Sequence, residues 1–302
     1  DTRTNHARAF VELAAASGFA LSKNPKTSAT SATTYGTGEL IKLAIEAGAT
    51  EIFLFLGGSA TTDGGVGFAK ALGWNFFAEN GALLAKPDLR AATSYPGEQL
   101  TKIAKLDAGK STELLRGIKI IGVTDVRNPL YGPQGAAFIY GPQKGADPAA
   151  IEALDRGLRN LEAIYASTFS KQLQDIPGTG AAGGAGFGVL AFLGGSLQDG
   201  PSFFLDLIEF DKRLPALDLI VTGEGKVDAQ SMRGKLLREL LNRTHETKVP
   251  LISFSGVSDL RLSDLEAHPN FKAFGLGHVE CLRDPEQALT LLSRQVAQLL
   301  RA

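Results

Sequence analysis

The chain is poor in the residue types that carry redox and metal chemistry. Among 302 residues it has one cysteine, Cys281, and one methionine, Met232. No disulfide can form within the chain, and this composition fits a reducing compartment, so we expect a cytoplasmic protein. Four scattered histidines and the absence of paired cysteines or a His-Glu-x-x-His pattern give no indication of a zinc site.

The chain also lacks a strong charge of either sign and long apolar runs. Its formal net charge is −1, so nucleic acid and anionic membranes are not expected partners. No apolar run is long enough to span a bilayer. A P-loop and a Gly-x-Ser-x-Gly nucleophile elbow are absent as well. Small-molecule partners are therefore favoured, and the oligomeric state stays open, a homo-oligomer included.

Glycine, in contrast, is abundant, with 35 residues, and one cluster follows a predicted strand. The apolar run Glu51–Leu56 leads through Leu56–Gly67 into a helix predicted over 66–72. Backbone N–H groups and the positive end of a helix dipole make such junctions suitable for anions. The candidate contacts are Gly57, Gly58, Ser59, Thr62, Asp63 and Gly64. Asp63 has three open roles: to face a metal, to face a substrate, or to cap the helix.

Other polar residues follow apolar segments, where ligands bind in open α/β sheets. The predicted strand 118–124 is followed by Asp125 and Asn128, and the short apolar run 136–140, treated as a strand, by Gln143 and Lys144. The predicted strand 218–222 is followed by Gly223, Glu224, Gly225 and Asp228, and Lys235 near a helix start resembles a phosphate contact. Acids for Mg²⁺, a lysine and glycine loops are what phosphoryl transfer needs, so the residues favour a phosphate-handling enzyme.

A second glycine cluster spells Gly-x-Gly-x-x-Gly over 178–183. A dinucleotide fingerprint should follow an apolar strand, whereas this motif follows a predicted helix over 148–173. A helix start that binds a carboxylate or phosphate, and close helix packing without a ligand, are both better interpretations. A dinucleotide-dependent oxidoreductase stays an alternative, as does a non-catalytic protein that binds a nucleotide or a carboxylate.

Strand-like and helix-like segments alternate, most regularly from residue 217, which predicts an α/β protein with a parallel sheet. The predicted strands are 9–13, 51–56, 118–124, 218–222, 249–254 and 271–276. The predicted helices are 39–46, 66–72, 148–173, 232–245 and 285–300.

Seven segments, taken in order, resemble the type-1 glycerate kinases. They are distributed along essentially the whole chain and are specific together, although none is specific alone: 33–40, 56–65, 125–130, 141–145, 180–184, 222–230 and 234–235. The resemblance implies ATP-dependent, Mg²⁺-dependent phosphorylation of D-glycerate, with 2-phosphoglycerate favoured over 3-phosphoglycerate. It implies two lobes with the site in the cleft between them. Residues 1–214 would form an inserted α/β lobe with a mixed sheet, and 215–302 part of a Rossmann-like lobe.

The resemblance also suggests roles for individual residues. Asp125, Glu224 and Asp228 are candidates for metal binding or for the base, with Asp125 and Asp228 the metal candidates. Lys144 would neutralise a phosphate or the substrate carboxylate, and Gly183 and Gly184 join the first glycine loop as anion contacts. The family's initial Asp-Ser-Phe-Lys-Gly-Ser segment has no counterpart here. We therefore expect the Rossmann-like lobe to be incomplete in this chain.

Overall fold

The computed structural model describes residues 7–21, 28–84, 96–227, 236–259, 268–275 and 284–299. The chain divides into two compact units, Asp1–Asp199 and Gly200–Ala302. The lobe boundary predicted between 214 and 215 lies further along the chain than this division and stays a prediction. The predicted site residues Asp228 and Lys235, together with Cys281 and Met232, fall outside the described residues.

The first unit is built on a parallel sheet of four strands in the order β1-β2-β5-β6. A separate antiparallel pair joins β3 to β4. The strands are β1 Ala7–Glu12, β2 Ala49–Phe55, β3 Asn75–Phe77, β4 Lys105–Asp107, β5 Lys119–Thr124 and β6 Ser196–Asp199.

The central strands β2 and β5 are runs of aliphatic and aromatic residues because both faces of the sheet are covered. Ile52 and Leu54 on β2 are fully buried, and Ile120 on β5 is almost so. Since the two strands are parallel neighbours, their carboxyl ends lie at the same edge of the sheet. That register places the segments after Phe55 and after Thr124 side by side.

Helices surround this sheet, and the longest, α8, begins with a capped turn. The Asp147 side chain accepts a hydrogen bond from the Ala150 N–H at 2.8 Å, and a proline occupies the first turn. The helices of the first unit are α1 Ala14–Ser17, α2 Ser28–Ser31, α3 Tyr35–Glu46, α4 Val66–Ala71, α5 Pro96–Gln99, α6 Ser111–Leu114, α7 Ala136–Tyr140, α8 Pro148–Phe169 and α9 Ala181–Phe192. No described helix of the chain combines the length and the apolar character needed to cross a bilayer.

The core of the first unit includes a cluster of aromatic rings. Trp74 packs edge-on against Phe192 with ring centroids 5.1 Å apart, and its indole N–H donates to the Phe192 carbonyl at 2.9 Å. Tyr165 and Phe187 join the cluster through edge-to-face contacts with Phe192. Trp74 is the one tryptophan of the chain, so it reports on this unit alone.

The second unit contains a parallel three-stranded sheet in the order β7-β8-β9. Arg243 connects three helices of this unit, because it forms ion pairs with Asp206 at 2.7 Å and with Asp211 at 3.1 Å, each on a different helix. The elements are β7 Ile220–Val227, β8 Leu251–Ser258, β9 Phe271–Gly275, α10 Gly200–Leu207, α11 Phe210–Arg213, α12 Leu236–Thr244 and α13 Pro285–Leu299.

The α/β class with parallel sheets is confirmed, and three local expectations are corrected. The apolar run 136–140 is the helix α7, because its start packs into the core through Ala136 and Ala137 rather than pairing with a strand. Strand β7 continues to Val227, so Gly223, Glu224 and Gly225 lie inside the strand and not after it. Strand β6 was not predicted, because its four residues lack β-branched and aromatic side chains.

Candidate active site

The loop after β2 is held at the carboxyl edge of the sheet by backbone hydrogen bonds. The Leu56 N–H donates to Val123 on β5 at 3.0 Å, and the Ala60 N–H donates to Ser17 at 2.9 Å. Gly57 and Gly58 at the tip are exposed and Ser59 is half-buried, whereas residues 60–65 are buried. The tip is therefore the part of this loop that an external ligand can reach.

Asp63 organises the buried half of the loop. Its carboxylate accepts from the Thr34 N–H at 2.8 Å, the Thr34 hydroxyl at 2.9 Å, the Gly65 N–H at 3.1 Å and the Gly67 N–H at 3.2 Å. Burial raises the pKa of the Asp63 carboxyl, and these donors oppose that rise. Of its three open roles, the contacts support the cap of α4, and two further bonds from Thr34 hold the residue before α3.

Lys144 lies behind the exposed tip. It ends a 3-10 turn, Pro142–Lys144, that Gly145 closes in the left-handed conformation. Its buried ammonium donates to the Ser59 hydroxyl at 2.9 Å and to the Thr61 carbonyl at 2.8 Å. Burial lowers the pKa of Lys144 to about 8, and the charge of Asp63 opposes this shift. The side chain therefore remains mostly protonated at neutral pH and gives the loop a fixed positive charge.

The second glycine cluster packs directly on the first. Ala182, Gly183 and Gly184 adopt left-handed conformations at the start of α9. The Gly64 N–H donates to the Gly183 carbonyl at 3.1 Å, and a Cβ added at Gly183 would overlap the Thr61 carbonyl oxygen. No strand lies between the end of α8 and Gly180, so the context of a dinucleotide fingerprint is absent in this described stretch. The cluster's observed role is close packing.

The loop after β5 brings Asn128 to the same edge. The Gly180 N–H donates to the Asn128 carbonyl at 2.9 Å, and the Tyr140 hydroxyl donates to the Asn128 side-chain oxygen at 2.6 Å. The Asn128 amide N–H in turn donates to the Gln134 carbonyl at 2.8 Å. These bonds fix the side chain, whereas Asp125 and Gln143 are exposed.

One region of the first unit thus contains most of the predicted site residues, while others lie elsewhere. Gly223, Glu224 and Gly225 belong to β7 in the second unit. Thr62 is buried, and its hydroxyl has no hydrogen-bond partner within the described structure. Among the described side chains, no group of three or more His, Cys, Asp or Glu residues could hold a metal ion.

Two residues of the site were not singled out as site residues from sequence. Thr34 is fully buried and supplies two of the four close donors to Asp63, yet threonines are common before helices. Lys70 lies on α4, where burial lowers its pKa to about 8 while the charge of Asp63 opposes the shift. Its position among apolar residues in the helix was the available signal, because lysine rarely faces a core without a partner.

A parallel sheet with glycine-rich loops and a buried lysine at its carboxyl edge defines an α/β protein suited to anionic ligands. The chain belongs to the glycerate kinase family, whose sequence model matches residues 2–301. It is 41% identical to a glycerate kinase of Bacillus cereus and 37% identical to the glycerate 2-kinase of Escherichia coli K12. Each of these alignments covers 82% of this chain and 63% of the relative, so the chain spans less than two thirds of their length.

A solved structure supports the same grouping. A crystal structure from Salmonella typhimurium LT2, described as glycerate kinase 2, matches with a TM-score of 0.78 and 33% identity. The match covers 98% of this chain and 76% of that chain. The α/β fold predicted from the resemblance is therefore that of a solved family structure.

Proposed function

We propose that the protein containing this chain transfers the γ-phosphoryl group of ATP to a hydroxyl of D-glycerate, in the cytoplasm. The glycerate oxygen forms the new bond to phosphorus, the bond to the bridging oxygen of ADP breaks, and a base takes the hydroxyl proton. We favour the 2-hydroxyl, since the name of the Escherichia coli relative is glycerate 2-kinase. Family membership supports the reaction, and the site supports the handling of its anions.

The observation that carries the proposal is the placement of Lys144 behind the exposed tip Gly57–Ser59. Its ammonium donates to Ser59, so the exposed tip carries a hydroxyl that is backed by a positive charge. Phosphoryl transfer depends on positioning and on stabilisation of negative charge more than on covalent chemistry by the protein. A fixed charge that needs no reorganisation suits a carboxylate or phosphate at this position.

The candidate acids are oxygen donors of the kind that Mg²⁺ binds. Asp125 is exposed at the end of β5, and Glu224 has one buried carboxylate oxygen without a hydrogen-bond partner in the described structure. Mg²⁺ binds through one or two carboxylates together with substrate phosphates, and it neutralises charge on those phosphates. Asp125, Glu224 and Asp228 are accordingly our candidates for the ligands and for the base.

The test is turnover by the full-length protein with D-glycerate, ATP and Mg²⁺, followed by coupled detection of ADP. ³¹P and ¹³C NMR of the product would distinguish 2-phosphoglycerate from 3-phosphoglycerate. We expect Lys144→Met to lower kcat/KM by about a hundredfold, a loss typical of removing one preorganised electrostatic contact. Lys171→Met, which changes an exposed lysine outside the site, is the matched control.

Three outcomes would count against the proposal in different ways. Absence of ADP formation with D-glycerate would refute the reaction itself. Normal turnover of Lys144→Met would leave the reaction standing but remove the role of this lysine. Reduction of a nicotinamide cofactor by the same protein would favour the oxidoreductase alternative.

A further inference from the structure

A cavity of about 220 Å³ lies in the second unit, at the amino end of the β7-β8-β9 sheet. Its apolar wall includes Leu241 near the end of α12 and the first residues of two strands, Leu251 on β8 and Phe271 on β9. All three belong to the buried core of this unit. Open α/β sheets bind their substrates at the carboxyl ends of the strands. The cavity therefore lies at the opposite end of this sheet from a site of that kind.

The titratable side chains that line this cavity are basic. His245 and Lys248 follow α12, and His268 precedes β9. None of the three forms an ion pair within the described part of the chain, and no aspartate or glutamate is among the described residues that line the cavity. A concave site with charge of one sign and apolar walls concentrates ions of the opposite sign. This lining therefore favours an anion.

The titration of His268 agrees with a concentration of positive charge at the cavity. Burial lowers the pKa of its imidazole, and the positive charges of Arg238 and of protonated His245 lower it further. Both of these residues belong to α12 or follow it directly. A bound anion would act in the opposite direction, because an opposite charge favours the protonated imidazole. The pKa of His268 is therefore a measurable reporter of anion binding.

The backbone at Lys248 gives a second, independent indication. Its φ of 57° is the left-handed conformation, and its N–H donates to the Thr244 carbonyl at the end of α12, at 3.1 Å. Glycine is the usual residue in this conformation after a helix, because a Cβ makes it unfavourable. The hydrogen bond uses the backbone alone and does not require a lysine. The chain thus keeps, at a cost in stability, a side chain that lines the cavity.

We propose that this cavity binds a small organic anion, a carboxylate or phosphate monoester with a short apolar body. Lys248 pairs with the anionic group, and His245 and His268 donate hydrogen bonds to it. Leu251 and Phe271 cover the apolar body. Pockets for drug-sized ligands have volumes of about 300–1,000 Å³, so this cavity suits a smaller molecule. The proposal goes beyond glycerate phosphorylation and does not depend on it.

The experiment follows the imidazole C–H signals of the full chain by NMR while butyrate, propyl phosphate or uncharged 1-butanol is added. The chain has four histidines, so His245→Gln and His268→Gln assign the two signals of interest. We expect at least one of the two anions to shift both signals and to raise the pKa of His268, and 1-butanol to leave that pKa unchanged. Comparing the affinities of the two anions identifies the preferred anionic group.

Substitutions at residue 248 separate binding from stability. Lys248→Gly removes the charge and the unfavourable conformation together, so this variant should unfold at higher urea concentration and bind the anion about tenfold more weakly. Lys248→Met removes the charge but keeps the Cβ, so it should weaken binding equally without the gain in stability. Lys272→Met is the matched control and should bind as the wild type does. Lys272 is exposed and follows Phe271 on β9, so it lies on the other face of that strand and does not line the cavity.

The outcomes are decisive without any measurement of glycerate turnover. No shift of either signal with both anions, or wild-type affinity in both Lys248 variants, would overturn the inference. A loss of stability in Lys248→Gly would also overturn it, because the lysine would then serve the end of α12, where the helix dipole favours cations. Equal weakening in Lys272→Met and Lys248→Met would assign the effect to the net charge of the protein and refute the site.

Discussion

Replacing Asp63 by asparagine should destabilise the first unit strongly. The two carboxylate oxygens divide the donors: one takes the Gly65 N–H, and the other takes the Thr34 and Gly67 N–H groups. Asparagine has one acceptor oxygen, so its NH₂ group must face at least one buried backbone N–H. A buried donor left unsatisfied costs about 1–3 kcal/mol. We therefore expect a loss of about 1–3 kcal/mol in the free energy of unfolding.

Urea denaturation followed by tryptophan fluorescence measures the free energy of unfolding of the first unit. Trp74 is the one tryptophan, and it is buried in the core of the first unit. The control is Asp125→Asn, which makes the same chemical change at an exposed position. Its free energy of unfolding should change by less than about 0.5 kcal/mol. Its catalytic rate, in contrast, should fall if Asp125 binds the metal or acts as base.

The result that would refute the reasoning is a stable Asp63→Asn protein that has lost ligand binding. A loss below about 1 kcal/mol would mean that the hydrogen bonds at the start of α4 contribute little net stability. Loss of phosphate or glycerate affinity at unchanged stability would then assign Asp63 to the ligand. Comparing Asp63→Asn with Asp125→Asn therefore distinguishes a structural carboxylate from a functional one. A structural carboxylate affects the free energy of unfolding, and a functional one affects ligand binding or the catalytic rate.

Two other predictions concern the packing and the charge of the site. Gly183→Ala should lower the urea midpoint far more than Gly194→Ala. Both glycines have positive φ, but an added Cβ would meet the Thr61 carbonyl at residue 183 and open space at residue 194. Equal effects of the two substitutions would show that the glycine loops do not pack closely. Raising the pH through about 8 should weaken phosphate or glycerate binding, because Lys144 loses its proton there. Stability should rise between that pH and about 10.4, since in this window the unfolded chain binds a proton that the folded chain has lost. Both pH effects should be smaller in Lys144→Met. Part of the pH dependence of stability should remain in this variant, because the pKa of Lys70 is lowered in the same way.

Local sequence alone predicts those helices and strands whose residues interact mainly within their own segment or with a uniformly apolar environment. Strands β2 and β5 are aliphatic runs that both faces of a sheet bury, so composition alone predicts them. The helix α8 carries apolar residues at spacings of three and four and an Asp-Pro start. For the same reason, glycine-rich segments after the strands predict where a site lies even without its ligand.

Local sequence does not predict contacts between segments that are far apart in the chain. Lys144 is 85 residues from Ser59 and 83 from Thr61, and nothing near residue 144 indicates those partners. The run 136–140 has strand-like composition, but packing of Ala136 and Ala137 makes it a helix. In each case a tertiary contact decides what the local pattern leaves open.

The candidate acids Glu224 and Asp125 differ in how firmly the fold holds them, because one lies in a strand and the other in a loop. Glu224 lies within β7, where pairing with β8 fixes its backbone and holds its side chain on the face that carries Ser255. Asp125 follows the last residue of β5 and is exposed, so its side chain retains rotamer freedom. A cation that must be bound at one point needs a preorganised ligand, because ordering a mobile side chain costs conformational entropy. The backbone of Glu224 is therefore held by its strand, whereas binding by Asp125 would first have to order its side chain.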